Sequence, residues 1–266
     1  MDVAGKRVLL TGATGGLGRT IATAIAGAGG NLLLSARSPE ALEALAAGLP
    51  GSGHQVLAGD LSRPDAVSDL VGRAGEIDIL VANAALPATG RLDELTPEQV
   101  SRMLRINLES PILLAQMLLP GMLERGRGKL VLIGSLAGKA GSPRSSIYNA
   151  TKFGIRGFAF GLNSDLAGTP VSVTVVAPGF VRDAGMFADA GVNAPSVLGT
   201  TTPERVADAV VRAIGTDRLE ITVAPRRART MAHLGLVSPA LSHRVQSGQA
   251  GQTTAADLAA GQTDKR

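Results

Sequence analysis

Tyr148 is the only tyrosine in the chain, and Lys152 follows it four residues later in a stretch of helical spacing, so both side chains project from one face. A phenol that titrates near ~10 is a poor base at neutral pH, and a neighbouring ammonium is expected to favour the phenolate and lower that value. Tyr148 could then give a proton to a carbonyl oxygen as hydride reaches the carbon, or take one in the reverse direction. Ser135 follows an apolar run and Gly134, which places its hydroxyl at a strand end where it could hold the same oxygen. Taken singly, a Tyr-x-x-x-Lys pair and a serine after a strand are commonplace. The chemistry rests on their combination with a glycine-rich turn far upstream.

That turn reads Thr11-Gly12-Ala13-Thr14-Gly15-Gly16-Leu17-Gly18, between the first apolar run and the first helical stretch. Missing Cβ atoms let a backbone approach a pyrophosphate, and the free N–H groups and dipole at a helix N-terminus favour its charge. Thr11, Gly12, Thr14, Gly16, Leu17 and Gly18 are therefore expected to contact a dinucleotide, and a plain tight turn does not explain so many glycines. The second apolar run ends Ser35-Ala36-Arg37-Ser38. Ala36 cannot accept from a ribose 2′-hydroxyl, whereas Arg37 and Ser38 could bond a 2′-phosphate, so NADP(H) is expected in preference to NAD(H). The alternative for Arg37 is a surface arginine without a role.

Short apolar runs at 7–10, 32–35, 55–58, 77–82, 130–133, 171–176 and 219–223 alternate with amphipathic stretches at 17–28, 39–49, from about 64, at 97–124, 145–166 and 203–214. Runs that do not alternate polar with apolar are buried on both faces. The expected fold is α/β: a doubly wound, seven-stranded, mostly parallel Rossmann-like sheet with helices on both faces and ligands at the carboxyl edge. Residues 1–246 are read as one NADP(H)-binding catalytic domain. A loop at 180–202 is read as a substrate lid in preference to a surface insertion. Residues 247–266 lack an apolar period and are expected to form a disordered tail.

The order and spacing of these motifs over roughly residues 5 to 225 resemble the short-chain dehydrogenase/reductase family. Thr11, Gly12, Gly16 and Gly18 are similar to its TGxxxGxG turn, Asn83-Ala84-Ala85 to its NAG motif, and Ser135, Tyr148 and Lys152 to its catalytic triad. The resemblance implies that Asn107 is a fourth catalytic residue that binds a water linking Lys152 to solvent. It also implies that Lys152 holds the nicotinamide ribose, that Asp60 with Leu61 meets the adenine, and that Asn83, Ala84, Pro178, Gly179 and the Val181 backbone line the cofactor. Two positions depart from the family pattern. Ala85 replaces a glycine, which matters only if its φ is positive. Asp183 stands where threonine is frequent and would repel a pyrophosphate unless its side chain turns away or Arg182 neutralises it.

Leu86, Leu136, Ala137, Phe180, Met186 and Phe187 are expected to wall an apolar pocket, or else to belong to the core. The expected substrate is an apolar carbonyl or the matching alcohol: a β-ketoacyl thioester, a ketone, or a long-chain or isoprenoid aldehyde. An alternative of another class is a catalytically silent NADP(H)-binding sensor or scaffold, whose mark would be a broken triad. Composition narrows the field further. With 45% hydrophobic and 18% charged residues the chain can build a large core. Aromatics at 2% leave no stacking platform for single-stranded nucleic acid, so no nucleic-acid partner is expected despite a charge of +4. No cysteine is present and the three histidines are scattered, so no metal site is expected. A cytoplasmic location is expected from the lack of a signal-like start. The segment 226–237 is either a membrane-surface helix or, as preferred here, packing over the pocket or a sister subunit. A homodimer or homotetramer without membrane association is implied by the resemblance.

Overall fold

The computed structural model describes residues 1–87, 89–186, 188–191, 198–246 and 249–262. Among them the expected strands are all present: β1 (Arg7–Thr11), β2 (Asn31–Ser35), β3 (Gln55–Val56), β4 (Ile79–Ala82), β5 (Gly128–Ile133), β6 (Val171–Pro178) and β7 (Glu220–Val223). They form one sheet in the order β3-β2-β1-β4-β5-β6-β7, and every neighbouring pair is parallel. The chain reverses its direction of winding between β1 and β4, which opens a crevice outside their carboxyl ends.

The helices are α1 (Gly16–Gly27), α2 (Pro39–Ala47), α3 (Ala66–Ala74), α4 (Pro97–Leu104), α5 (Ser110–Glu124), α6 (Ser146–Asp165), α7 (Pro203–Ile214), α8 (Arg226–Val237), α9 (Pro239–Gln246) and α10 (Gln249–Ala260). Successive strand residues feed two separate cores. Val8 and Leu10 join Ile21, Ile25, Leu42, Leu45, Val206 and Val210 of α1, α2 and α7 on one face. Leu9 joins Leu70, Leu114, Leu118, Ile155 and Ala159 of α3, α5 and α6 on the other. This two-sided burial is why the strands read as unbroken apolar runs. Truncating a fully buried leucine such as Leu9 to alanine is expected to cost about 3 kcal/mol.

Local capping sets where the helices begin. Thr96 accepts from the Gln99 amide while Gln99 accepts from the Thr96 amide, a reciprocal cap that starts α4. Thr202 accepts from the Arg205 amide ahead of Pro203, which starts α7.

The tail departs from expectation. Instead of a disordered segment from 247 onward, Gln249–Ala260 is helical as α10, with Ala259 3% and Gln262 2% exposed. Small residues carry little hydropathy contrast, so a helix that packs through alanine and glycine shows no apolar period in sequence. The loop at 180–202 is pinched at its neck: the Thr201 amide donates to the Phe180 carbonyl at 2.8 Å and the Arg182 amide to the Thr201 carbonyl at 3.0 Å. Its residues 187 and 192–197 lie outside the described residues, so the expected Phe187 wall and much of the expected lid do too.

Candidate active site

Ser135 follows β5 in extended conformation and its Oγ accepts from the Ala137 amide at 3.1 Å, which opens the short 3-10 turn Leu136–Gly138. Tyr148 and Lys152 lie one turn apart on α6, with the Lys152 Nζ 5.7 Å from the Tyr148 ring centroid. The three expected residues are thus brought together at the carboxyl end of β5. Burial pushes the Tyr148 phenol above its ordinary value, and a hydrogen bond with Ser135 opposes this only in part. Burial also lowers Lys152 to about 8. The expectation that Lys152 depresses Tyr148 is therefore corrected. The amine is buried and donates to the Ile133 carbonyl at 2.9 Å, and desolvation of the phenol sets the direction of its shift.

Asn149, beside Tyr148, escaped the sequence analysis. It is buried, and its Nδ2 donates to the Ala137 carbonyl at 2.7 Å and the Ala140 carbonyl at 2.9 Å, while its Oδ1 accepts from the Ser142 amide at 3.1 Å. It locks the loop carrying Ser135 onto α6. A polar residue one position after the tyrosine, on the buried side of α6 with Thr151 and Lys152, was the available signal. Gly138 completes the fit, since a Cβ there would lie 2.6 Å from the Lys152 carbonyl oxygen.

Gly12 has φ of 64°, and a Cβ there would meet the Ala84 Cα at 2.8 Å. The Thr11 hydroxyl accepts from the Asn83 and Ala84 amides, each at 3.1 Å, and the Asn83 Nδ2 donates to the Thr11 and Gly12 carbonyls, each at 3.1 Å. Asn83 and Thr11 therefore fasten β4 to the glycine turn. Gly15 precedes α1 without a side-chain cap, and no acidic residue sits in the first turn, so the N-terminus is electrostatically open to an anion. Thr14 accepts from the Arg19 Nε at 3.0 Å through its carbonyl, Leu17 packs at the edge of the core, and Gly18 is buried in α1.

At the far end of the crevice, Arg37 is exposed and enters no hydrogen bond or salt bridge among the described residues. Asp60 lies beside it: burial pushes its carboxyl up, but the Ser62 amide and hydroxyl and the Arg37 and Arg102 guanidiniums together hold it below its ordinary value. Leu61 is buried below. Ser38 is committed elsewhere, because its Oγ caps α2 by accepting from the Ala41 amide and donates to Glu40. A phosphate could reach it only by displacing Glu40.

Asn107 lies in a π-helical turn, Arg105–Glu109, that joins α4 to α5. Such turns recur where a helix must present a group out of register. Its Oδ1 accepts from the Leu86 amide at 2.7 Å and its Nδ2 donates to the Leu86 carbonyl at 2.9 Å. Its side chain thus holds the segment after β4.

Beyond β6, the Gly179 amide donates to the Val223 carbonyl at 3.0 Å, so Pro178 and Gly179 continue the sheet edge. Val181 is buried. Ala85 does not have positive φ, so its Cβ is accommodated. Asp183 has φ of 66° and an exposed side chain paired with the Arg182 Nε at 3.1 Å. Of the two escapes foreseen for this residue, the pairing with Arg182 is present. Leu86, Leu136, Ala137, Phe180 and Met186 are half-buried along the same edge. The segment 226–237 is helical as α8 and turns Gly235 onto the Ser135 loop, where a Cβ would lie 2.5 Å from that of Ala140.

The family model described as short chain dehydrogenase matches residues 6–193. The ketoacyl reductase HetN of Nostoc sp. is 35% identical over 91% of this chain and 88% of its own. The dehydrogenase/reductase SDR family member 7B of Xenopus laevis is 32% identical over 94% of this chain and 83% of its own. A solved short-chain dehydrogenase of Sphingobium yanoikuyae in complex with NADPH superposes with a TM-score of 0.76 at 29% identity, covering 92% of this chain and 98% of that one.

Proposed function

The chain belongs to the short-chain dehydrogenase/reductase family, and on that premise we propose that it is an NADP(H)-dependent oxidoreductase that reduces the carbonyl of an apolar substrate. The observation that carries this reading is the joint placement of Ser135, Tyr148 and Lys152 at the carboxyl end of β5, beside the open N-terminus of α1.

The residues at this edge fit a dinucleotide: an uncapped helix N-terminus free of acid, a close-packed glycine turn, and Ala36 with exposed Arg37 in place of an acid. The turn from Thr11 to Gly18 would hold the pyrophosphate, Arg37 the 2′-phosphate, Asp60 and Leu61 the adenine, Lys152 the nicotinamide ribose, and Val181 the carboxamide, with Asn83, Ala84, Pro178 and Gly179 alongside. When bound, the cofactor supplies the hydride. Ser135 Oγ donates to the substrate oxygen, and the Tyr148 hydroxyl gives that oxygen its proton as negative charge develops there. Burial raises Tyr148, so the phenol holds at neutral pH the proton it would give in reduction. The Lys152 ammonium then stands beside the phenolate left behind. Asn107, its side chain committed to Leu86, offers its backbone carbonyl to the water through which Lys152 regains contact with solvent.

The half-buried Leu86, Leu136, Ala137, Phe180 and Met186 support an apolar substrate. A ketoacyl group, the class named in the Nostoc relative, is one member of that set. Homo-oligomerisation and a cytoplasmic location belong to the same reading. The test is NADPH and NADH oxidation over carbonyls graded by length and polarity, with Arg37→Ala alongside. Loss of the Arg37 bonds to the phosphate should weaken NADPH by about tenfold or more and leave NADH within about twofold. Equal losses for both cofactors would refute the role of Arg37, and turnover with NADH alone would refute the NADP(H) preference.

A further inference from the structure

Gln262 lies far beyond every motif above, yet it is 2% exposed and bonded at both ends of its amide. Its Oε1 accepts from the Thr89 Oγ1 at 2.6 Å, and its Nε2 donates to the Met186 carbonyl at 2.8 Å. Thr89, itself 5% exposed, lies in the segment leaving the carboxyl end of β4, and Met186 in the segment leaving β6. In the sheet β5 runs between those two strands, and Ser135 follows β5. One side chain near the end of the chain therefore spans the strand that presents the serine.

The contact around it is close. Gly261 approaches the 3-10 turn Ala188–Ala190 so nearly that a Cβ would lie 2.6 Å from the Ala190 carbonyl oxygen. Ala259 is 3% exposed. A buried amide left without partners is costly, so the three segments are held together or released together.

We propose that α10 and Gln262 clamp the loops after β4 and β6 across the crevice, making Gln262 a positioning residue for substrate. The proposal rests on the reading of that crevice as the site of carbonyl reduction. With the clamp in place, the Met186 segment is ordered before substrate arrives. Without it, substrate binding must do the ordering, and the loss falls on KM for the carbonyl while the NADPH site at the glycine turn is spared.

The experiment uses the full chain and two variants, Gln262→Ala and Thr89→Val, with their combination. Amide exchange in the segment around Met186, KM and kcat for the best carbonyl of the panel, and Kd for NADPH are measured together. The clamp predicts exchange faster by about tenfold and KM higher by about five- to tenfold, with kcat and the NADPH Kd within about twofold. The double variant should be no worse than Gln262→Ala alone, because that substitution already removes the Thr89 contact along with the Met186 one. Unchanged exchange would overturn the clamp whatever the turnover. Faster exchange with unchanged KM would overturn the positioning role, as would a KM that rises only in step with the NADPH Kd. If no protein turns over any carbonyl while exchange accelerates, the reaction reading falls and the clamp stands.

Discussion

Burial drives Tyr148 and Lys152 in the same sense, toward their neutral forms. For Tyr148 this preserves the proton that the proposed reduction would consume. For Lys152, lowered to about 8, it places the loss of the ammonium within reach of ordinary assays. Below that pH the lysine is charged and stabilises the phenolate formed in the transition state; above it the charge is gone. The rate of carbonyl reduction, as kcat/KM, should therefore be level in mildly acidic buffer and fall as pH rises through about 8. A rate that climbs through the same range would show that the ammonium is not used. At this scale the residues proposed to do chemistry could be picked out of the sequence, because a lone tyrosine and its lysine at helical spacing leave few alternatives, and the structure places them together. The residues that fasten the loops around them could not. Asn149, Gln262 and Thr89 act through contacts that sequence spacing does not bring near one another.

Among elements, the loop carrying Ser135 is fastened to α6, β7 and α8. Lys139 in that loop is fully buried, its Nζ 2.8 Å from Glu220 and donating to the Thr222 hydroxyl at 2.8 Å, and Arg156 of α6 reaches the same Glu220 at 3.3 Å. Removing the carboxylate strands a buried ammonium. Glu220→Gln should cost about 3 kcal/mol and lower Tm on the order of 10 °C. A melting temperature unchanged by that substitution would mean the pair does not hold the loop. The strands were readable because burial on both faces makes them continuous apolar runs, and helix starts at Thr96 and Thr202 were marked by the prolines that follow. The π turn at Asn107 was hidden, since it interrupts what reads in sequence as one continuous helical stretch at 97–124. β3 proved only two residues long, although the Leu57 amide still donates to the Leu34 carbonyl and the Gly59 amide to the Ala36 carbonyl, each at 2.9 Å.

At the scale of the whole molecule, Ser135, Tyr148 and Lys152 lie at the carboxyl edge of the sheet, while other surfaces keep exposed apolar side chains. Met117 and Leu123 on α5 and Phe153 on α6 are 42%, 39% and 41% exposed. Phe153 sits next to Lys152 but faces outward, which makes these helices the surface on which the proposed homo-oligomer would assemble. Light scattering should give a dimer or tetramer for the native chain and a smaller species for Phe153→Arg. A mass unaffected by the arginine would move the interface elsewhere. The central claim, that this edge carries out NADPH-dependent carbonyl reduction with Tyr148 as proton donor, is tested most directly by Tyr148→Phe. NADPH oxidation with the best carbonyl should fall by about a thousandfold while the Kd for NADPH stays within about twofold. Turnover retained within about tenfold of the native rate would contradict it.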